Sequence, residues 1–251
     1  MNNIKNKTSV IDLFILPVIL LIIWYIVCDV FMMVPSYMFP GPIEVFNAFV
    51  KLLLSGKLFK DIIATLYKVL VGLLLAAIVG ITLGLILGWS KKLERLSTLI
   101  VSILRPIPPI AWIPFSILWF GIGSKPAIFI IFIGCVFPIL VSTIDGVHRT
   151  KGVLIEAAKS FGASNTQILT EVILPATIPY IVTGLKVGIG IALMCTIAGE
   201  MIGSSSGIGY MILTSTNLFD TGSTVVGMLV IGVLGIIFDY IFTKIQERIF
   251  W

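Results

Sequence analysis

Residues 69–90 carry no charged side chain. A helix of that length covers the ~30 Å hydrocarbon core of a bilayer, which takes about 20 apolar residues. Comparable runs recur at residues 13–28, 126–144, 176–199 and 221–243, broken only by Lys186 and Asp239. In hydrocarbon, backbone N–H and C=O groups must be satisfied within the protein, so only helices or closed barrels cross. The sequence therefore predicts an all-α membrane protein with six transmembrane helices. Composition agrees: 58% of residues are hydrophobic and 12% charged, about half the charged share of a soluble domain. With so few charges, the net charge of +5 speaks to orientation and anionic lipid, not to nucleic acid.

The spans are read in order. The first covers residues 10–34 and stays uncleaved, because no small-x-small site follows its apolar core. Pro35, Pro40, Gly41 and Pro42 make a turn-rich break, and residues 43–54 form an interfacial helix. The second span is 69–90, where Gly72, Gly80, Gly84 and Gly88 line a face suited to close packing. The third is broken by Pro106, Pro108, Pro109 and Pro114. Spans at 126–144, 176–199 and 221–243 follow. A Gly/Ser-rich loop at 203–209 and a short helix at 210–218 separate the last two. With the N-terminus cytoplasmic, inner segments hold Lys5, Lys7, Lys91, Lys92, Arg95, Arg149, Lys151, Lys159, Lys244 and Arg248. Outer segments hold Lys51, Lys57, Lys60 and Lys125. That bias favours this orientation in a plasma membrane, and Trp251 suits an interface.

The chemistry that can be excluded is broad. Cys28, Cys135 and Cys195 lie in or beside apolar runs without metal-ligand spacing, and His148 is the only histidine. A histidine-based zinc site and a Ser-His-Asp triad are therefore out of reach. No G-x-x-x-x-G-K-[ST] occurs, so the chain has no nucleotide-binding signature. No catalytic residue and no metal ligand is assigned.

One polar island stands between two spans, at residues 156–175, EAAKSFGASNTQILTEVILP. Leu154, Ala157, Ala158 and Phe161 recur at helical spacing. Gly162 ends that helix. Ser164 and Gln167 make the capping box of a second one, with Ile168, Leu169, Val172 and Ile173 as its apolar face. Pro175 stops this second helix or starts the next element. Two short helices joined by a glycine turn make a rigid knob suited to a groove on another protein.

Glu156-Ala157-Ala158, Gly162 and Val172-Ile173-Leu174-Pro175 resemble the EAA signature of ABC importer permeases, E-A-A-x3-G-x9-I-x-L-P, with Val172 in place of isoleucine. Leu104-Arg105-Pro106-Ile107-Pro108, Leu118-Trp119-Phe120-Gly121-Ile122-Gly123, Thr183-Gly184-Leu185-Lys186 and Gly207-Ile208-Gly209 look like the branch serving nitrate, sulfonate, taurine and bicarbonate-type importers, which also contains systems for thiamine precursors. The likeness covers most of the chain from Asp61 on. Where the branch reads Ser-Leu-x-Arg, this chain has Thr65-Leu66-Tyr67-Lys68; lysine keeps the charge and loses the planar fork.

The resemblance implies a type I importer transmembrane domain over residues 61–245, preceded by an N-terminal span and outer segment at 1–60. Its coupling loop, 153–175, would dock on a separate ATPase subunit through Glu156, Ala157, Ala158, Gly162, Leu174 and Pro175. The resemblance further implies an extracytoplasmic substrate-binding protein, a permease homodimer, and ATP with Mg held by the partner subunit, none by this chain.

Intramembrane ionisable residues are candidates for the pathway by default. Arg105 would meet an anionic substrate, cap carbonyls freed beside Pro106, or snorkel. Lys186 has a pairing or pathway role. Glu200 and Asp239 lie near span ends, where a solvated or packing role competes. Two other classes stand against the importer. An ion-coupled secondary carrier needs coupling groups near the midplane, and the span boundaries place no carboxylate there. A membrane-embedded enzyme needs a cluster of His, Asp or Glu at one face, and none is evident.

Overall fold

The computed structural model describes residues 10–249; Lys5 and Lys7, invoked for orientation, and Trp251 lie outside them. All regular elements of the described chain are helical: α1 (Val10–Tyr25) with a π-helical turn at Ile26–Val30, α2 (Pro42–Leu54), α3 (Lys57–Trp89), α4 (Lys91–Leu104), a 3-10 turn at Pro109–Trp112, α5 (Ile113–Phe120) and α6 (Ser124–Arg149). Then follow α7 (Gly152–Ser160), the single turn α8 (Asn165–Gln167), a π-helical stretch at Ile168–Ile173, α9 (Leu174–Gly203), α10 (Ile208–Asn217) and α11 (Thr221–Ile249).

Among the described residues, four continuous helices are long and apolar enough to cross a membrane: Lys57–Trp89, Ser124–Arg149, Asn165–Gly203 and Thr221–Ile249. A fifth crossing arises if α4 and the segment Pro109–Phe120 count as one span; they meet at 86°. The proline-rich break expected there is real, since proline supplies no N–H for the helical ladder. A shorter apolar helix, Ile15–Val30, falls where the first span was expected. Against the six expected spans, four unbroken helices meet the length and composition test, or five with the bent pair counted as one.

The chain divides into two compact units. One comprises the residues up to Phe59 with Met211–Leu229. Within it, Trp24 donates its indole N–H to the Pro40 carbonyl at 3.0 Å and its ring lies 5.8 Å from Phe39. The Asp220 carboxylate caps the start of α11 through the Ser223 N–H at 3.0 Å and hydroxyl at 2.8 Å.

The other unit comprises Lys60–Tyr210 and the residues from Val230 on. Its core is Val69, Leu73 and Ala76 of α3, Ile130, Ile131, Cys135 and Ile139 of α6, and Ile189, Ala192 and Cys195 of α9. The glycine stripe of α3 explains how closely these helices approach. A Cβ at Gly72, Gly80, Gly84 or Gly88 would meet Ile131, Ile139, Thr143 or Val147 in turn. The contacts advance together along both sequences, so α3 and α6 run parallel. At Gly84 the added atom would sit 2.5 Å from the Thr143 Cβ, inside van der Waals contact.

Span boundaries differ from the sequence reading at both ends. The second span begins a dozen residues earlier than expected, and the fifth is continuous from Asn165 to Gly203 over 39 residues. Pro175 does not stop that helix; it enters α9 directly after the π-helical stretch Ile168–Ile173, and a local adjustment of this kind accommodates proline within a membrane helix.

Candidate functional site

The polar island folds as a knob. Helix α7 ends in a Schellman arrangement: Ala163 N–H bonds the Ala158 carbonyl at 3.0 Å and Gly162 N–H the Lys159 carbonyl at 2.9 Å. Gly162 takes φ +79°, the left-handed region that glycine enters without a Cβ penalty. Ser164 then caps the next helix. Its N–H bonds Gln167 Oε1 at 2.8 Å, and its Oγ accepts from Gln167 N at 3.3 Å. Both devices were expected. The second short helix was not found as a separate piece. It is the N-terminal end of the long fifth span, with a π-helical stretch in between.

The knob has two apolar faces. Ile155, Ala158, Ala163 and Leu169 pack inward on buried Val147, Ile168 and Ile173, together with Leu85 and Trp89. Val153, Leu154 and Phe161 point outward, 73%, 48% and 91% exposed. Glu156, Ala157, Gly162 and Pro175 are exposed as well, and Leu174 is half-buried. The single apolar face expected from Leu154, Ala157, Ala158 and Phe161 is therefore split, because Ala158 turns toward the knob's own core.

Two clefts take the charged pathway candidates. Arg105, at the C-terminal end of α4, lines a cleft of ≈ 480 Å³ with Asp145, Ser142, Phe137, Gly134 and Ile191. Lys186 lines a second, of ≈ 280 Å³, with Asp239, Gly190 and Met194. There it donates to Thr243 Oγ1 at 2.8 Å and pairs with Asp239 Oδ1 at 3.4 Å.

Glu200 lines neither cleft. It is fully buried, so the solvated reading fails. Its Oε1 receives Lys68 Nζ at 2.8 Å, its Oε2 the Gly209 N–H at 2.8 Å, and the Thr65 hydroxyl lies 2.9 and 3.0 Å from the two oxygens. Lys68, also fully buried, donates in addition to the Ser206 carbonyl at 2.6 Å. Lysine without a guanidinium fork thus satisfies one carboxylate oxygen and one backbone carbonyl.

Residues 80–251 match the family described as binding-protein-dependent transport system inner membrane component. The chain belongs to this family. An ABC transporter permease protein of Methanocaldococcus jannaschii is 44% identical over 65% of this chain and 62% of its own length. A protein of Escherichia coli named as an aliphatic sulfonates transport permease is 33% identical over 93% of this chain and 88% of its own. Among solved structures, the inward-facing MetNI methionine ABC transporter superposes with a TM-score of 0.70 at 21% identity, over 79% of this chain and 98% of that one. The fold is that of an ABC importer permease, and the sulfonate likeness bears out the branch expected from the sequence.

In this permease, Asp61, Thr65 and Lys68 were missed as a group because the second span was started at Val69. Their spacing was the available signal, since residues four and then three apart share one helix face. The face continues into Val69 and Leu73, which are buried with them.

Proposed function

We propose that this permease lines the translocation pathway of an ATP-driven importer and takes its drive from a separate ATPase subunit at the 153–175 knob. The observation that carries the reading is the outward apolar face of Val153, Leu154 and Phe161 on a turn fixed by Gly162. Three large apolar side chains left in water on one rigid element mark a protein contact. The inward face ties the same knob to Val147 and to Leu85 and Trp89 of α3, so a push on the knob reaches spans two, four and five. Alternating access follows when the ATPases of two such subunits close and open. The homodimer supplies the second half of the pathway, and an extracytoplasmic binding protein delivers the cargo. The N-terminus and the knob lie on the cytoplasmic side. ATP and Mg belong to the ATPase.

The ≈ 480 Å³ cleft holding Arg105 and Asp145 is the pathway segment, and Arg105 lowers the barrier for an anionic group leaving water. A small organic anion of the sulfonate kind is the cargo this reading favours. Lys186 anchors α11 through Asp239 and Thr243 and does not face cargo directly.

The test is co-purification of the ATPase with Phe161→Asp permease. A carboxylate at a position 91% exposed leaves the permease fold intact, and it should cut ATPase recovery at least tenfold, as loss of a central aromatic contact does. Full recovery of the ATPase with this variant overturns the docking assignment.

A further inference from the structure

We infer that Asp61, Thr65, Lys68 and Glu200 are positioning residues that latch the loop after α9, and the start of α10, onto α3. Three successive backbone N–H groups carry the argument. Gly207 N donates to Asp61 Oδ1 at 3.0 Å, Ile208 N to Thr65 Oγ1 at 2.9 Å and Gly209 N to Glu200 Oε2 at 2.8 Å. These are the donors that the first turn of a helix cannot satisfy internally, and carboxylates are favoured there by the helix dipole. Lys68 binds the Ser206 carbonyl and Glu200 together, so every residue from Ser206 to Gly209 is held by a side chain. Gly207 takes φ +110°, and a Cβ there would fall on the Glu200 carboxylate.

The arrangement does what apolar packing cannot. A buried ion pair replaced by well-packed apolar residues is often neutral or stabilising for the fold. What the pair adds is direction: it fixes the backbone of a loop that has Ser205 exposed to solvent at its tip. The loop cannot shift without breaking the bonds that Asp61, Thr65, Lys68 and Glu200 make to its backbone in the interior. Helix α3, the end of α9 and the start of α10 are therefore tied into one block.

The latch rests on the permease reading only for its transport consequence, and the experiment separates the two. A single cysteine at Ser205, in a chain with Cys28, Cys135 and Cys195 replaced by alanine, is reacted with a membrane-impermeant maleimide in membranes. The double variant Lys68→Met/Glu200→Met should accumulate and keep its thermal midpoint. The released loop should then label about tenfold faster, as expected for a local opening. With the ATPase and binding protein in proteoliposomes, the same variant should hydrolyse ATP while uptake per ATP falls severalfold. Thr65→Val, which breaks two of the bonds and no charge pair, should raise labelling by a smaller factor. Unchanged Ser205→Cys labelling in Thr65→Val and in the double variant overturns the latch, as does faster labelling with unaltered uptake per ATP. If the wild-type complex takes up nothing on ATP addition, the permease reading fails and the labelling rates alone decide the latch.

Discussion

Ala158 and Phe161 are both apolar, three residues apart at the end of one helix, and the chain puts them to opposite uses. Ala158 packs inward against Ile168 and Ile173, so Ala158→Glu brings a charge into the knob's own core. It should lower the thermal midpoint of the isolated permease by several degrees and weaken ATPase binding with it. Phe161→Asp should weaken binding alone. Differential scanning fluorimetry of the two variants separates them, and equal midpoints would mean that Ala158 is not a core residue. The turn that follows them at Gly162 was legible because a left-handed position has a strong preference for glycine. The inward turn of Ala158 was not legible, because periodicity marks apolar positions and does not say which of two surfaces each one meets. Glu200 makes the same point. A carboxylate near a span end reads as solvated until its partners, more than 130 residues away in sequence at Thr65 and Lys68, are brought beside it.

At the level of helices, the glycine stripe of α3 was read from spacing alone, and the structure supplies its partner, α6. Gly84→Leu forces a side chain into Thr143 and the Leu140 carbonyl, an overpacking that costs about 1–3 kcal/mol or more. Gly190→Ala, where an added Cβ meets nothing within 4 Å, should be neutral or slightly stabilising, since alanine is the better helix former. Thermal midpoints of the two purified variants check the contrast; a stable Gly84→Leu protein would contradict the close α3–α6 approach. Apolar runs located the spans, and prolines located the 86° break. The ends were misplaced where polar residues continue a helix. Asp61, Thr65 and Lys68 extend α3 because they are bonded inside the protein. The capping box at Ser164 begins a helix that runs on into α9, because the π-helical stretch ahead of Pro175 accommodates its missing N–H.

On the scale of the whole molecule, the orientation rests on the distribution of lysine and arginine. Ser164 and Ser205 are both exposed, and single cysteines at these positions should label from opposite sides of the membrane. Ser164→Cys should resist an impermeant reagent in intact cells, and Ser205→Cys should react. Reaction of both from outside would contradict the orientation. The class and family of the protein were legible from apolar runs and one polar island. Its cargo was not, because the cleft beside Arg105 also holds Asp145 and so presents both signs of charge.

The central claim is that transport is driven through the knob by a partner's ATP hydrolysis, and not by an ion gradient through this chain alone. Uptake of a radiolabelled alkanesulfonate into proteoliposomes is the direct measurement, with permease, ATPase and binding protein reconstituted together. The account predicts uptake that requires ATP, stops with an ATPase variant unable to hydrolyse it, and is lost with Phe161→Asp permease. Uptake by the permease alone, driven by a sodium or proton gradient and indifferent to ATP, would contradict it.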